Sequence, residues 1–149
     1  MDEATLSFTD LLTDPNTWST WVPRKAIAPR FNTIPDGGPG GRPGLAISGN
    51  DNALSCGCWR LPLSELQAGH VYRIEGMFQT EGVGAPGKSV RAILTFERGG
   101  TERFYDHLDA MGAQAGWQKV GCVLEVSEAI PELTLNLFLA WSATGQVCW

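Results

Sequence analysis

Residues 132–141, "ELTLNLFLAW", place a leucine at every second position: Leu133, Leu135, Leu137 and Leu139. A period of two is the signature of a β-strand with one buried face. The leucines therefore face a core. Thr134, Asn136, Phe138 and Ala140 point the other way, so an amide and an aromatic ring share the second face.

The same alternation recurs along the chain. Residues 71–80 put Tyr72, Ile74 and Phe78 on one face, and Arg73, Glu75, Met77 and Gln79 on the other. Residues 89–97 turn Val90, Ala92, Leu94 and Phe96 inward, with Arg91, Ile93 and Thr95 outside. Residues 117–126 turn Val120, Cys122, Leu124 and Val126 inward. Shorter strands are expected at 18–22, 28–34, 44–49 and 55–61, and after Gly145. Pro23 and Pro29 keep the first two of these out of central sheet positions. The segment "PDGGPGGRPG", residues 35–44, is too dense in Gly and Pro for a regular element. Ala68–Gly69 marks a turn, and Pro131 separates the last two long strands. Residues 101–115 leave room for one helical turn. Nine or ten short strands, with 18 Gly and 9 Pro between them, predict an all-β fold: a two-sheet antiparallel β-sandwich of the jelly-roll kind. A chain of 149 residues fits one such domain, residues 1–149. Its last strand stops at Trp149, as in a module cut from a longer chain. If the long strands share a sheet with residues 132–141, one outer face combines Arg73, Glu75, Gln79, Asn136 and Phe138. That is a set of planar hydrogen-bonding groups around an aromatic platform.

Composition narrows the chemistry. The net charge is −5 and the 11 Lys and Arg are scattered, which disfavours nucleic acid and suits a neutral or cationic partner. No run approaches the ~18 apolar residues of a membrane span, and "MDEATLSFTD" is no signal peptide. His70 and His107 lack a Cys, Ser or paired His at a meaningful spacing, and no hydrolase, zinc-protease or nucleotide motif occurs. Glu97 and Glu102 read as solvated charges. No catalytic residue is assigned, and the chain reads as noncatalytic. The "CGC" at Cys56–Cys58, with Cys122 and Cys148, gives four thiols. A one-residue spacer on a strand does not match a zinc knuckle, so no metal ligand is assigned. Cys56 and Cys58 are too awkwardly placed to bond each other; a bridge from this pair to Cys148 stays open.

Six tryptophans are more informative. An indole stacks on the apolar face of a sugar ring and also presents an N–H. Trp117 and Trp141 follow core registers and are expected inside. The register of Trp59 leaves its side undecided. Trp18 and Trp21 flank the first strand beside proline-rich loops, and one of them is expected at the surface. The expected ligand-facing set is Arg73, Glu75, Gln79, Asn136 and Phe138, joined by Trp59 and Trp21.

Three segments together resemble a known family: "LSELQAGHVYRIEGMFQTEG", "SVRAILTFERGG" and "GWQKVGCVLEVSEAIPELTLNLFLAWSATGQVCW". They are similar to the jelly-roll carbohydrate-binding modules of families 4 and 9, within the galactose-binding-like superfamily. The likeness rests on the Ala68–Gly69 turn before Tyr72, on Gly116–Trp117 with "QKV", and on the leucine-alternating strand followed by Gly145 and Val147. It spans roughly residues 46–149. It implies a bacterial, secreted, noncatalytic module that binds a polysaccharide or oligosaccharide and tethers a linked enzyme to it, outside the cell or in the periplasm. Such modules often hold a structural calcium with acidic residues that follow the position of Trp149, so no cofactor is expected of this sequence. The front end, "WSTWVPRKAIAPRF", is similar to modules ahead of carbon–nitrogen hydrolase domains. That likeness implies the alternative: a β-sandwich protein-interaction or architectural domain attached to such a hydrolase.

Overall fold

Two antiparallel sheets face each other across the leucines of residues 133–139. The computed structural model describes residues 3–128 and 132–149, and is 54% strand and 11% helix. In chain order the strands are β1 (Glu3–Ser7), β2 (Ser19–Trp21), β3 (Arg30–Ile34), β4 (Gly44–Ser48), β5 (Cys56–Pro62), β6 (Val71–Glu81), β7 (Val90–Arg98), β8 (Thr101–His107), β9 (Asp109–Gln114), β10 (Trp117–Glu125), β11 (Thr134–Ala140) and β12 (Gln146–Cys148). A single helical turn, α1 (Pro86–Ser89), precedes β7. Among the described residues one sheet has seven strands, in the order β3-β4-β12-β6-β10-β9, with β1 lying parallel to β6. The other has five, in the order β2-β5-β11-β7-β8. The chain crosses between the sheets at Leu108, where β8 ends and β9 begins; the Leu108 N–H donates to the Ala92 carbonyl at 2.9 Å.

The core follows the alternation. Leu135, Leu137 and Leu139 are fully buried, and so are Leu94 from β7 and Ile74 from β6. Trp59 of β5 is core as well: it is 7% exposed, its Nε1–H donates to the Ala46 carbonyl at 3.1 Å, and it meets Phe31 edge-on at 5.6 Å. That bond joins the two sheets and satisfies the one polar group of the indole. Trp149 packs between Phe8 and Phe78, with ring centroids 5.9 and 5.1 Å away. Phe8 lies so close over Gly76 that any Cβ there would overlap its ring, so β6 requires glycine at that point. Trp18, also buried, donates its Nε1–H to the Leu11 carbonyl.

Several expectations change. Residues 101–115 form β8 and β9 and no helical turn. β1 is an additional strand. Trp141 is not core: β11 ends at Ala140, and Trp141 turns out to solvent at φ +56° with 59% exposure. Trp117 is only half-buried. Most consequential, β6 and β11 belong to different sheets. β2 and β3 are edge strands, as their prolines require. Pro131 lies outside the described residues. The four cysteines are free thiols, and among the described residues no cluster of His, Cys, Asp and Glu is arranged to hold a metal.

Candidate functional site

Register places the outward side chains of the five-stranded sheet in rows. One row runs Ser19, Arg60, Asn136, Ile93, His107; the next runs Trp21, Cys58, Phe138, Arg91; on the other side, Thr134, Thr95 and Phe104 align. Arg60 reaches from β5 over β11 and β7 to Glu102 on the far edge strand, with Nη2 at 2.6 Å from Oε2. Three strand steps on a flat sheet span about 14 Å, beyond the combined reach of the two side chains once their offset along the strands is added. The contact therefore requires this face to curl into a trough.

The floor of the trough is sealed. Asn136 is 2% exposed. Its amide N–H groups donate to Thr95 Oγ1 at 2.9 Å and toward the carbonyls of Thr134 and Ile93. Trp21 and Phe138 meet edge to face at 6.2 Å across the strand between them, and so roof over Cys58, which is fully buried. Burial pushes the Cys58 thiol up to about 12, against a smaller pull from Arg60. A thiol this desolvated is neither a nucleophile nor a ready metal ligand at neutral pH.

Above the floor, aromatic rings alternate with guanidinium groups. Arg60 lies over the Trp21 ring at 5.8 Å and Arg91 over the Trp141 ring at 5.9 Å. Arg91 also donates through Nε to the Lys88 carbonyl, which anchors it to α1. Arg60 Nε is enclosed and has no hydrogen-bond partner. Phe104, 59% exposed, stacks on His107, which pairs through Nε2 with Asp109 at 2.8 Å. Flat apolar surfaces next to directional donors are the combination that recognises sugar rings, which have an apolar face and a rim of hydroxyls.

Of the expected ligand-facing residues, the structure brings together Asn136, Phe138 and Trp21. Asn136 lies beneath the surface with its amide hydrogens already engaged, so it shapes the floor. Arg73, Glu75 and Gln79 do share a face, but on β6 of the opposite sheet: Arg73 pairs with Glu3 at 2.7 Å and Glu75 with Lys119 at 3.3 Å. Trp59 is core. Sequence reasoning missed Arg60, Phe104 and Trp141 as members of the trough. Arg60 was legible from its β5 register beside Cys58. Trp141 was not, because its left-handed backbone breaks the alternation that placed it inside.

No family model matches the sequence, and neither does any curated protein. Solved structures do match in three dimensions. One is the CBM22-2 xylan-binding domain of Paenibacillus barcinonensis Xyn10C, at TM-score 0.61 and 13% identity, over 95% of this chain and 91% of that one. Another contains the CBM22-1 and GH10 modules of Clostridium thermocellum endo-1,4-β-D-xylanase 10B with xylohexaose, at TM-score 0.62 and 12% identity. There the match covers 89% of this chain but only a quarter, 25%, of the xylanase chain. A Stig cyclase, Fisc from Fischerella sp. TAU, also matches at TM-score 0.54 and 12% identity, over 93% of this chain and 86% of that one. The chain is a jelly-roll β-sandwich. At these identities the likeness establishes the fold alone, and the cyclase shows that the fold carries enzymes as well as binding modules.

Proposed function

We propose that the trough of the five-stranded sheet is a noncatalytic carbohydrate-binding surface for an extended polysaccharide or oligosaccharide. The observation that carries this reading is the exposed Trp21 and Trp141 with the half-buried Phe138, interleaved with Arg60 and Arg91 on one curved face. Sugar rings stack on the aromatics, and the guanidinium groups donate to ring hydroxyls with fixed planar geometry. The match to xylan-binding modules supports the class of ligand. The narrower membership in families 4 and 9, the tethering of a linked enzyme and a location outside the cell or in the periplasm belong to the same reading. Binding to a sugar-rich surface would then raise the local concentration of substrate around a linked catalytic domain. Affinity is expected on the order of 10 µM to 1 mM, because few hydrogen bonds form and hydroxyls are costly to desolvate. Affinity electrophoresis in gels holding xylan, β-glucan or galactan is the test. At least one polysaccharide should retard the protein, and Trp21→Ala should abolish the retardation; migration unaffected by all three would remove this reading.

A second reading has its own observation. Trp141 and Phe104 are each 59% exposed, Trp141 beneath Arg91 and Phe104 against His107, and Trp with Arg is the composition of protein–protein anchors. On that reading the trough docks against an attached hydrolase. A stable dimer on size exclusion, with no retardation by any polysaccharide, favours it.

A further inference from the structure

The opposite sheet carries a different kind of place. On its outer surface is a recess of about 330 Å³, near the lower end of the range for small-molecule sites. Its floor is the outward row of β6 and β10, where Lys119 reaches diagonally to Glu75 with Nζ at 3.3 Å from Oε2. One wall is the glycine-rich segment around Pro39–Gly41, fastened by the ion pair of Arg42 with Asp10. The other wall is the β9–β10 hairpin. Ala115 and Gly116 take φ +51° and +84° there, the two-residue turn that sets its flanking residues side by side. Those residues are Gln114 and Trp117, which are cross-strand partners, and both line the recess. Thr9 lines it too: it is 9% exposed, and its hydroxyl is enclosed without a hydrogen-bond partner. An unpartnered buried hydroxyl is uncommon in folded proteins.

We propose that this recess is a second, independent saccharide site that takes a single neutral pyranose ring. The electrostatics select neutrality. Two acids, Glu75 and Asp10, are matched by two bases, Lys119 and Arg42, so a uronate or an amino sugar would leave one charge unmatched. The recess offers one ring an indole, a carboxylate and an ammonium held in place, and a side-chain amide. The site also gives Glu75 a ligand-facing role, on a surface that Phe138 does not share.

The six indole N–H signals of the ¹⁵N-labelled protein separate the two sites. D-glucose, D-xylose, D-galactose and D-mannose are titrated singly, with D-glucuronate as the charged control. At least one neutral sugar should move the Trp117 signal along a saturating curve, leaving Trp21 and Trp141 in place, and glucuronate should not. Glu75→Gln, which preserves shape, should weaken that binding about tenfold or more, while Trp21→Ala leaves it unchanged. If none of the four sugars moves the Trp117 signal, or if binding survives Glu75→Gln intact, the recess is not a saccharide site. Polysaccharide retardation reports on the trough, so the two readings fail separately.

Discussion

The two outer faces are built by the same rule and end in different chemistry. Both are the polar side of strands that alternate with period two. On the five-stranded sheet large rings and guanidinium groups lie along a trough whose buried floor is closed by Asn136 and Cys58. On the seven-stranded sheet a glycine-rich segment and a tight hairpin rise on either side of paired charges and turn a similar surface into a recess. The difference teaches that strand alternation selects which residues are available, and that flanking loops decide whether those residues form a platform or a pocket.

The largest expected effect would abolish the contrast altogether. Leu137 is fully buried between the sheets, and Leu137→Ala should lower stability by about 2–5 kcal/mol. Urea unfolding measures the loss, and the signals of Trp21 and Trp117 should disappear at the same midpoint, because the faces share one core. Phe138→Ala separates layers. Phe138 is half-buried over Cys58, so the variant should lose about 1–2 kcal/mol of stability, less than the leucine. It should also lose roughly 1–3 kcal/mol of polysaccharide binding, by analogy with base stacking on aromatics. A loss of stability as large as that of Leu137→Ala would show that Phe138 is core and not platform.

Cys58 gives the trough a pH signature. Its thiol is raised from 9.0 to about 12 by burial, so the folded state keeps a proton that the unfolded state releases. The stabilisation is complete below about pH 9 and is lost as pH climbs from there toward 12, at up to about 1.4 kcal/mol per pH unit. Cys122, raised to about 11, adds to the same slope. Unfolding midpoints measured at about pH 8 and about pH 10.5 should fall, and Cys58→Ala should flatten the fall; an unchanged slope would mean that the Trp21–Phe138 roof does not exclude water. The smallest effect belongs to Arg73→Ala. Arg73 lies on the seven-stranded sheet and pairs with Glu3 at an exposed site, so the change should leave polysaccharide retardation as it was. Lost retardation would move the polymer site to the other face.

How much of this was legible in the sequence varies by residue. The faces of β6, β7, β10 and β11 could be read because each strand alternates and each has one face against the core. The partner of each strand could not. Arg73 and Asn136 are both outward residues of long strands, and nothing local says that β6 hydrogen-bonds to β10, β1 and β12 while β11 lies between β5 and β7. β8 and β9 gave no signal because they are largely solvent-exposed on both faces, which leaves no alternation to detect. The recess was still less legible, since it exists only where the Arg42 segment and the Trp117 hairpin meet across the sheet.

At Trp141 the backbone works against the binding role proposed for the trough. A bulky residue at φ +56° holds a backbone shape that glycine adopts freely, at a cost of roughly 1 kcal/mol or more. Its ring is mostly in solvent and recovers little of that through packing. Trp141→Gly should therefore leave the melting temperature unchanged or higher while weakening retention on polysaccharide. Opposite movement of the two measurements would mark Trp141 as a residue kept for what the surface does and tolerated by the fold; a sharp fall in melting temperature would mark it as structural.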